Sequence, residues 1–201
     1  MKKTLLVSII LFFCVCIADA KEYDSSFGFR VDVPEHWLVL TPNEIKTNPD
    51  LFDFENNDFG KIDKNILKQM KNKILNGSVE VYFNQNTSGV EFTDNVNVMK
   101  MVGRLPTKGV AVQNQCSNLG TQLSNYFGRH INLYQCGLTV VNNLTALYSE
   151  FDGAVEGTRS LQYQIQRSPS VLLIITATCN LTTLDIIRNE FAGIIRTINF
   201  K

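Results

Sequence analysis

Apolar and polar side chains alternate from Phe27 to Val33: Phe27, Phe29, Val31 and Val33 are interleaved with Gly28, Arg30 and Asp32, which predicts a strand with one buried face. Pro34 ends it, and after Pro34-Glu35-His36 the run Trp37 to Leu40 reads as a second short strand stopped by Pro42. Ile66, Leu67, Met70, Ile74 and Leu75 then recur at helical spacing, with Asp63 as a capping residue and Asn76-Gly77 as the stop. Val79, Val81 and Phe83 mark another strand, and Phe92, Val96 and Val98 a further extended stretch. Cys116, Leu119, Gly120, Leu123 and Phe127 fall on one face of an amphipathic helix that Gly128 terminates.

From His130 the pattern changes to four strands, roughly 130 to 141, 144 to 152, 158 to 167 and 171 to 179. Asn142-Asn143, Gly153 to Gly157 and Ser168-Pro169 supply short turns, so the four form an antiparallel meander. The last of them, Val171 to Cys179, is apolar on both faces and reads as a central strand covered on each side. Thr182 with Asp185 three residues later opens a closing helix whose buried stripe is Leu184, Ile187, Phe191, Ile194 and Ile195, and Ile198 and Phe200 finish the chain in an extended segment. Helices bracketing such a sheet predict the α+β class, as a three-layer α/β/α sandwich with a central, mainly antiparallel sheet.

The first twenty residues stand outside this scheme. Lys2 and Lys3 form a positive start, Leu5 to Ile17 an apolar core, and Ala18-Asp19-Ala20 a small-x-small tripeptide, the pattern of a cleaved secretory leader. The apolar core is shorter than the roughly 20 residues of a membrane anchor. Cys14 and Cys16 follow Phe13 and Val15 rather than the small residues of lipid-attachment sites. The expected product is a periplasmic or secreted protein without a transmembrane anchor, made of one domain over residues 21–201, and the twin-lysine leader resembles bacterial ones. Taking Lys2, Lys3 and Asp19 from the 19 basic and 19 acidic residues leaves 17 and 18, so no basic field exists to hold nucleic acid.

Three cysteines follow the leader. Cys116 lies twelve residues before Gly128, about 18 Å along a helix. Cys136 lies six or seven residues past the turn, about 20 to 23 Å along a strand that runs antiparallel to that helix. The two sulfurs then reach one level, which predicts a Cys116–Cys136 disulfide with Cys179 reduced and buried; three unpaired core cysteines are the alternative. No Cys pair and no His spacing suits a metal, and no elbow, phosphate loop or dinucleotide fingerprint is present, so neither catalytic residues nor a cofactor or metal site is expected. Cys116 acting as nucleophile with His130 is the one catalytic arrangement left open, in a secreted effector or hydrolase. An acidic, aromatic stretch over residues 42 to 61, containing Phe52, Phe54 and Phe59, reads either as a docking loop for a partner or as aromatics folded onto the protein's own sheet.

Phe29-x-Val31-x-Val33-Pro34-x-x-Trp37 resembles the opening of the PsbP-like superfamily, where F-x-[IV]-x-[IVL]-P-x-G-W is common. The ending, from Ile174-Ile175-Thr176-Ala177-Thr178 into Phe191-x-x-Ile194-Ile195-x-Thr197-Ile198-x-Phe200, resembles that family's last strand, helix and tail. Its members include photosystem II PsbP, a Ran-binding import factor of the Mog type and bacterial envelope proteins of the DcrB type. The resemblance implies a domain used for binding and assembly rather than catalysis, with a protein partner, and carries no functional residue across. The expected function is a non-catalytic exported binding or assembly module of the bacterial cell envelope. Intact-mass measurement of the exported protein is expected to show an unmodified N-terminus at Lys21; a diacylated Cys14 or Cys16 would overturn the reading of the leader.

Overall fold

The computed structural model describes residues 20–52, 64–87 and 92–201. The leader before Ala20, Asp63, and Phe54 and Phe59 of the aromatic stretch lie outside them. The chain runs through β1 (Ala20–Ser25), β2 (Phe29–Pro34), β3 (Trp37–Leu40), α1 (Pro42–Thr47), α2 (Lys64–Leu75), β4 (Glu80–Asn84), β5 (Asn95–Val102) and α3 (Gly109–Phe127). The meander follows as β6 (Leu133–Val141), β7 (Leu144–Asp152), β8 (Thr158–Ser168) and β9 (Val171–Asn180), and α4 (Leu184–Thr197) and β10 (Asn199–Phe200) close the chain. The class is mixed α and β with antiparallel sheets. A seven-stranded sheet has the order β3-β4-β5-β9-β8-β7-β6, and a three-stranded one the order β1-β2-β10.

The helices form where the apolar stripes fall, and the meander turns where asparagine and glycine allow. Asn142 and Asn143 both adopt left-handed backbone, φ 45° and 65°, the two-residue turn whose twist suits a tight hairpin. Residues 42 to 52 are more ordered than the sequence pattern suggests. Thr41 caps α1 by accepting a bond from Glu44 N, Pro42 opens the helix, and a 3-10 turn follows at Pro49–Phe52.

Strand register sorts side chains onto two unlike faces. Val39, Tyr82, Val96, Ala177 and Leu161 follow one another across β3, β4, β5, β9 and β8, and Ile175 and Leu173 continue the same face along β9. Ile187, Phe191, Ile194 and Ile195 of α4 cover this inner face together with Phe29, Val31 and Val33 of β2, and all are buried. Burial of one such large side chain contributes about 1.5–3 kcal/mol, so this layer dominates the stability.

On the outer face the apolar surface is discontinuous. Leu147, Leu172 and Ile174 are covered by Val112 and Cys116 of α3, while Leu40, Val81 and Phe83 are covered by Ile45 of α1 and Ile74 of α2. Between these two patches β5, β9 and β8 present Asn95, Asn97, Thr176, Thr178, Ser160 and Gln162. The expectation that Val171–Cys179 is apolar on both faces therefore holds only for its first half; Thr176 and Thr178 turn the second half polar.

The entry to α4 also departs from the sequence pattern. Thr183 rather than Thr182 stands at the N-cap and makes no side-chain bond to the helix. Its hydroxyl donates instead to Asp94 Oδ2 at 2.7 Å, and Asn180 N donates to Asp94 Oδ1 at 2.9 Å. The fully buried Asp94 thus fastens the end of β9 and the start of α4 to the link before β5. Phe191, 1% exposed and packed edge-on to Tyr163, sits at the centre of the inner layer. Phe191→Ala is expected to cost about 3–5 kcal/mol in urea unfolding; a loss below about 1 kcal/mol would show that α4 does not hold the inner layer together.

Candidate functional site

Antiparallel register builds the floor of a trough from residue types that alternation alone places on the outer face. One row runs Asn95, Thr178, Ser160 and the next Asn97, Thr176, Gln162, with rows about 6.8 Å apart along the strands. Their side chains are bonded into a ladder. Asn97 Nδ2 donates to Asn95 Oδ1 at 2.8 Å, Gln162 Nε2 to Thr176 Oγ1 at 3.0 Å, and the Ser160 and Thr178 hydroxyls share a bond of 3.1 Å. Gln164 Nε2 extends the ladder to Gln162 Oε1 at 2.8 Å. These bonds hold the rotamers of the floor.

The walls come from either side. Leu123, Tyr126 and Phe127 project from the last turns of α3, Phe92 stands ahead of β5, and Phe151, Ala154 and Val155 close the end beside the β7–β8 link. Together they enclose about 450 Å³. Gly128, with φ 68°, ends α3 in left-handed backbone just beyond Phe127 and so sets where the aromatic rim stops. Ile131 N donates to Ser124 Oγ at 2.9 Å, and Arg129 bonds the carbonyls of Gly153 and Ala154, which ties the helix end to the β7–β8 link. Tyr126 is 83% exposed and meets Phe127 edge-on at 5.1 Å between ring centres.

The electrostatics of the trough are distinctive. Among the described residues no Asp, Glu, Lys, Arg or His lines it. On the opposite face the buried Glu150 receives Arg159 at 3.0 Å and Arg188 at 2.9 Å. A floor of amides and hydroxyls both donates and accepts without a net field, and the aromatic rim offers apolar contact. Such a lining offers hydrogen-bonding dipoles beside apolar contact.

Other sequence candidates occupy different places. Cys116 and Cys136 are joined in a disulfide, with Cα atoms 5.7 Å apart. The Cys116–His130 hydrolase arrangement is thereby corrected: a sulfur committed to a disulfide offers no thiolate, and the exposed His130 ring pairs with Asn132 Oδ1 at 3.1 Å. Cys179 is free and buried, and burial pushes its thiol up to about 12. Trp37, 2% exposed, closes the core and donates from Nε1 to Glu190 Oε2 at 2.9 Å; His36 reaches the same oxygen at 3.2 Å. The buried Glu80 accepts from the Ser25 hydroxyl and Ser26 N, joining β4 to the end of β1, and burial holds its carboxyl above the usual range. Among the described residues no group of three or more His, Cys, Asp or Glu side chains is placed to hold a metal.

The trough was not legible as a site in the linear sequence. Its signal is the polar alternation Asn95-x-Asn97, Ser160-x-Gln162 and Thr176-x-Thr178, three dipole-rich pairs that only the strand order brings together.

No protein-family model matches the chain, and no curated protein does. Among solved structures, the solution structure of cyanobacterial PsbP (CyanoP) from Synechocystis sp. PCC 6803 is similar over 94% of this chain and 96% of its own, with a TM-score of 0.54 at 9% identity. A crystal structure of a Pseudomonas aeruginosa protein of unknown function, PA94, described as a putative regulator, aligns over 89% of this chain and 94% of its own, with a TM-score of 0.45 at 13% identity. The first likeness shows a PsbP-like fold. Among the described residues no helix is long and apolar enough to cross a membrane.

The thiol chemistry is directly measurable. Protein lacking residues 1–20 is expected to give no reaction with a thiol reagent while folded and one thiol per chain in denaturant, that of Cys179. Three thiols in denaturant would contradict the disulfide.

Proposed function

We propose that this chain is a non-catalytic binding or assembly module of the bacterial cell envelope, exported by its leader, released at Lys21 into the periplasm or medium, and folded as a three-layer α/β/α domain akin to the DcrB-type envelope proteins. The trough carries the reading: a pre-bonded floor of amides and hydroxyls under an aromatic rim, with no charged side chain among the described residues of its lining. A disulfide between α3 and β6 fits an oxidising compartment. The PsbP-like fold fits recognition of a protein partner. Phe52, Phe54 and Phe59 are proposed as a second contact for that partner. Photosystem or import roles do not transfer, because fold likeness at this identity carries no site.

A charge introduced into this floor, or a hydrogen-bonding hydroxyl removed from it, costs about 1–3 kcal/mol of binding, which corresponds to about a five- to 150-fold loss of affinity. Gln162→Glu and Thr176→Val are therefore expected to reduce recovery of crosslinked partner from intact cells by at least about fivefold, with the thermal midpoint kept within a few degrees. Recovery equal to wild type in both variants would reject the trough as the binding surface. Recovery of the protein in the cytoplasmic fraction would reject the exported role.

A further inference from the structure

Sheet edges expose rows of unpaired N–H and C=O groups, and folded proteins shorten, charge or cover them to prevent unwanted pairing. Three of the four edges here are treated in this way. β3 is four residues long and β10 two. β1 carries Lys21, Glu22 and Asp24. The fourth edge, β6, is nine residues long with the sequence Leu-Tyr-Gln-Cys-Gly-Leu-Thr-Val-Val, and it contains neither a charged residue nor a proline. Among the described residues it pairs only with β7, at the end of the seven-stranded sheet.

Its outward groups follow from the hairpin. In the two-residue turn at Asn142-Asn143 the flanking pair Val141 and Leu144 is hydrogen-bonded, so Val141, Thr139 and Gly137 direct their backbone groups to β7. Val140, Leu138 and Cys136 direct theirs outward. The flanks are open from Gly137 to Val140, while α3 lies against the earlier part of the strand through the Cys116–Cys136 disulfide and through Gly120 beside Leu133. Leu138 is 42% and Val140 68% exposed, and a Cβ built on Gly137 would meet no atom within 4 Å. A notch of about 310 Å³ lies beside Thr139 and Val141 against Ala192, Ile195 and Arg196 of α4.

We infer that two copies of this chain associate by antiparallel pairing of their β6 strands, forming a continuous sheet across a two-fold axis. An extended strand is the one partner that satisfies an alternating row of outward N–H and C=O groups. A second copy supplies such a strand without like-charge opposition, because β6 carries no charge. Full overlap of Leu133–Val141 with itself places Gly137 opposite Gly137 at the axis. That is a non-hydrogen-bonded position, where the backbones approach most closely and the missing side chain leaves room. Leu138 then lies opposite Cys136 of the second copy, and Thr139 opposite its Gln135 beside the notch. The edge is separate from the trough, so the two surfaces operate together.

Two substitutions separate strand pairing from other contacts. Val140→Pro removes an N–H that points outward and leaves the β6–β7 bonds in place. Leu138→Lys brings two like charges close to the axis. Sedimentation of the wild-type protein up to about 500 μM, a range that covers dissociation constants from micromolar to submillimolar, is expected to show a monomer–dimer equilibrium. Each variant is expected to weaken it at least tenfold, with unchanged circular dichroism and the Cys116–Cys136 disulfide intact. A wild-type protein that stays monomeric throughout, including one whose Leu138 and Val140 amides become protected only by an added strand peptide, overturns the inference. So does a dimer that survives either substitution with its association constant unchanged.

Discussion

The apolar layer between α4 and the inner face of the seven-stranded sheet is the constraint on which the rest depends. Ile187, Phe191, Ile194 and Ile195 meet Leu173, Ile175 and Ala177 of the central strand, and β2 completes the enclosure with Phe29, Val31 and Val33. Because side chains alternate along a strand, a sheet that commits one face to such a layer keeps the other free for different chemistry. The outer face uses this freedom unevenly. Its two ends are apolar and lie beneath helices, and its middle carries amides and hydroxyls bonded to one another. The trough is thus a consequence of how the core is distributed rather than an addition to it.

Elements whose signal is local were legible in the sequence. The four-strand meander, the helix ended by Gly128 and the closing helix follow from period and turn residues, and the level reached by Cys116 and Cys136 followed from the rise per residue of helix and strand. Elements whose signal is distributed were not. β1 reads as polar on both sides, since Lys21, Glu22 and Asp24 leave only Tyr23 as an apolar marker, and it forms because β2 offers a pairing edge. Thr182 fits a capping pattern better than Thr183 does, yet Asp94 captures the Thr183 hydroxyl from a distant segment. The trough needs six polar residues from three strands that are remote in sequence, and no window of the chain contains them together.

The same geometry that builds the trough narrows its chemistry. Cys116 is spent in fastening α3 to β6, which steadies the helix that carries the aromatic rim. Cys179 is buried with its thiol held protonated. A charge cluster around the buried Glu150, with Arg159 and Arg188, lies on the face toward α4, where it braces the helix against the sheet. What faces outward between the helix-covered ends is, among the described residues, uncharged and partly apolar, a combination suited to holding a ligand. Beside it, the uncharged β6 edge gives the module a route to self-association that leaves the trough open.

The most direct test of the trough as the ligand-facing surface is site-specific photo-crosslinking in producing cells. A photoreactive phenylalanine analogue at Tyr126, on the aromatic rim, is compared with the same analogue at Ile186, which is 61% exposed on α4. A ligand-facing trough gives a discrete adduct from position 126 that is absent at position 186. Equal adducts at both positions, or an adduct at 186 alone, would contradict it.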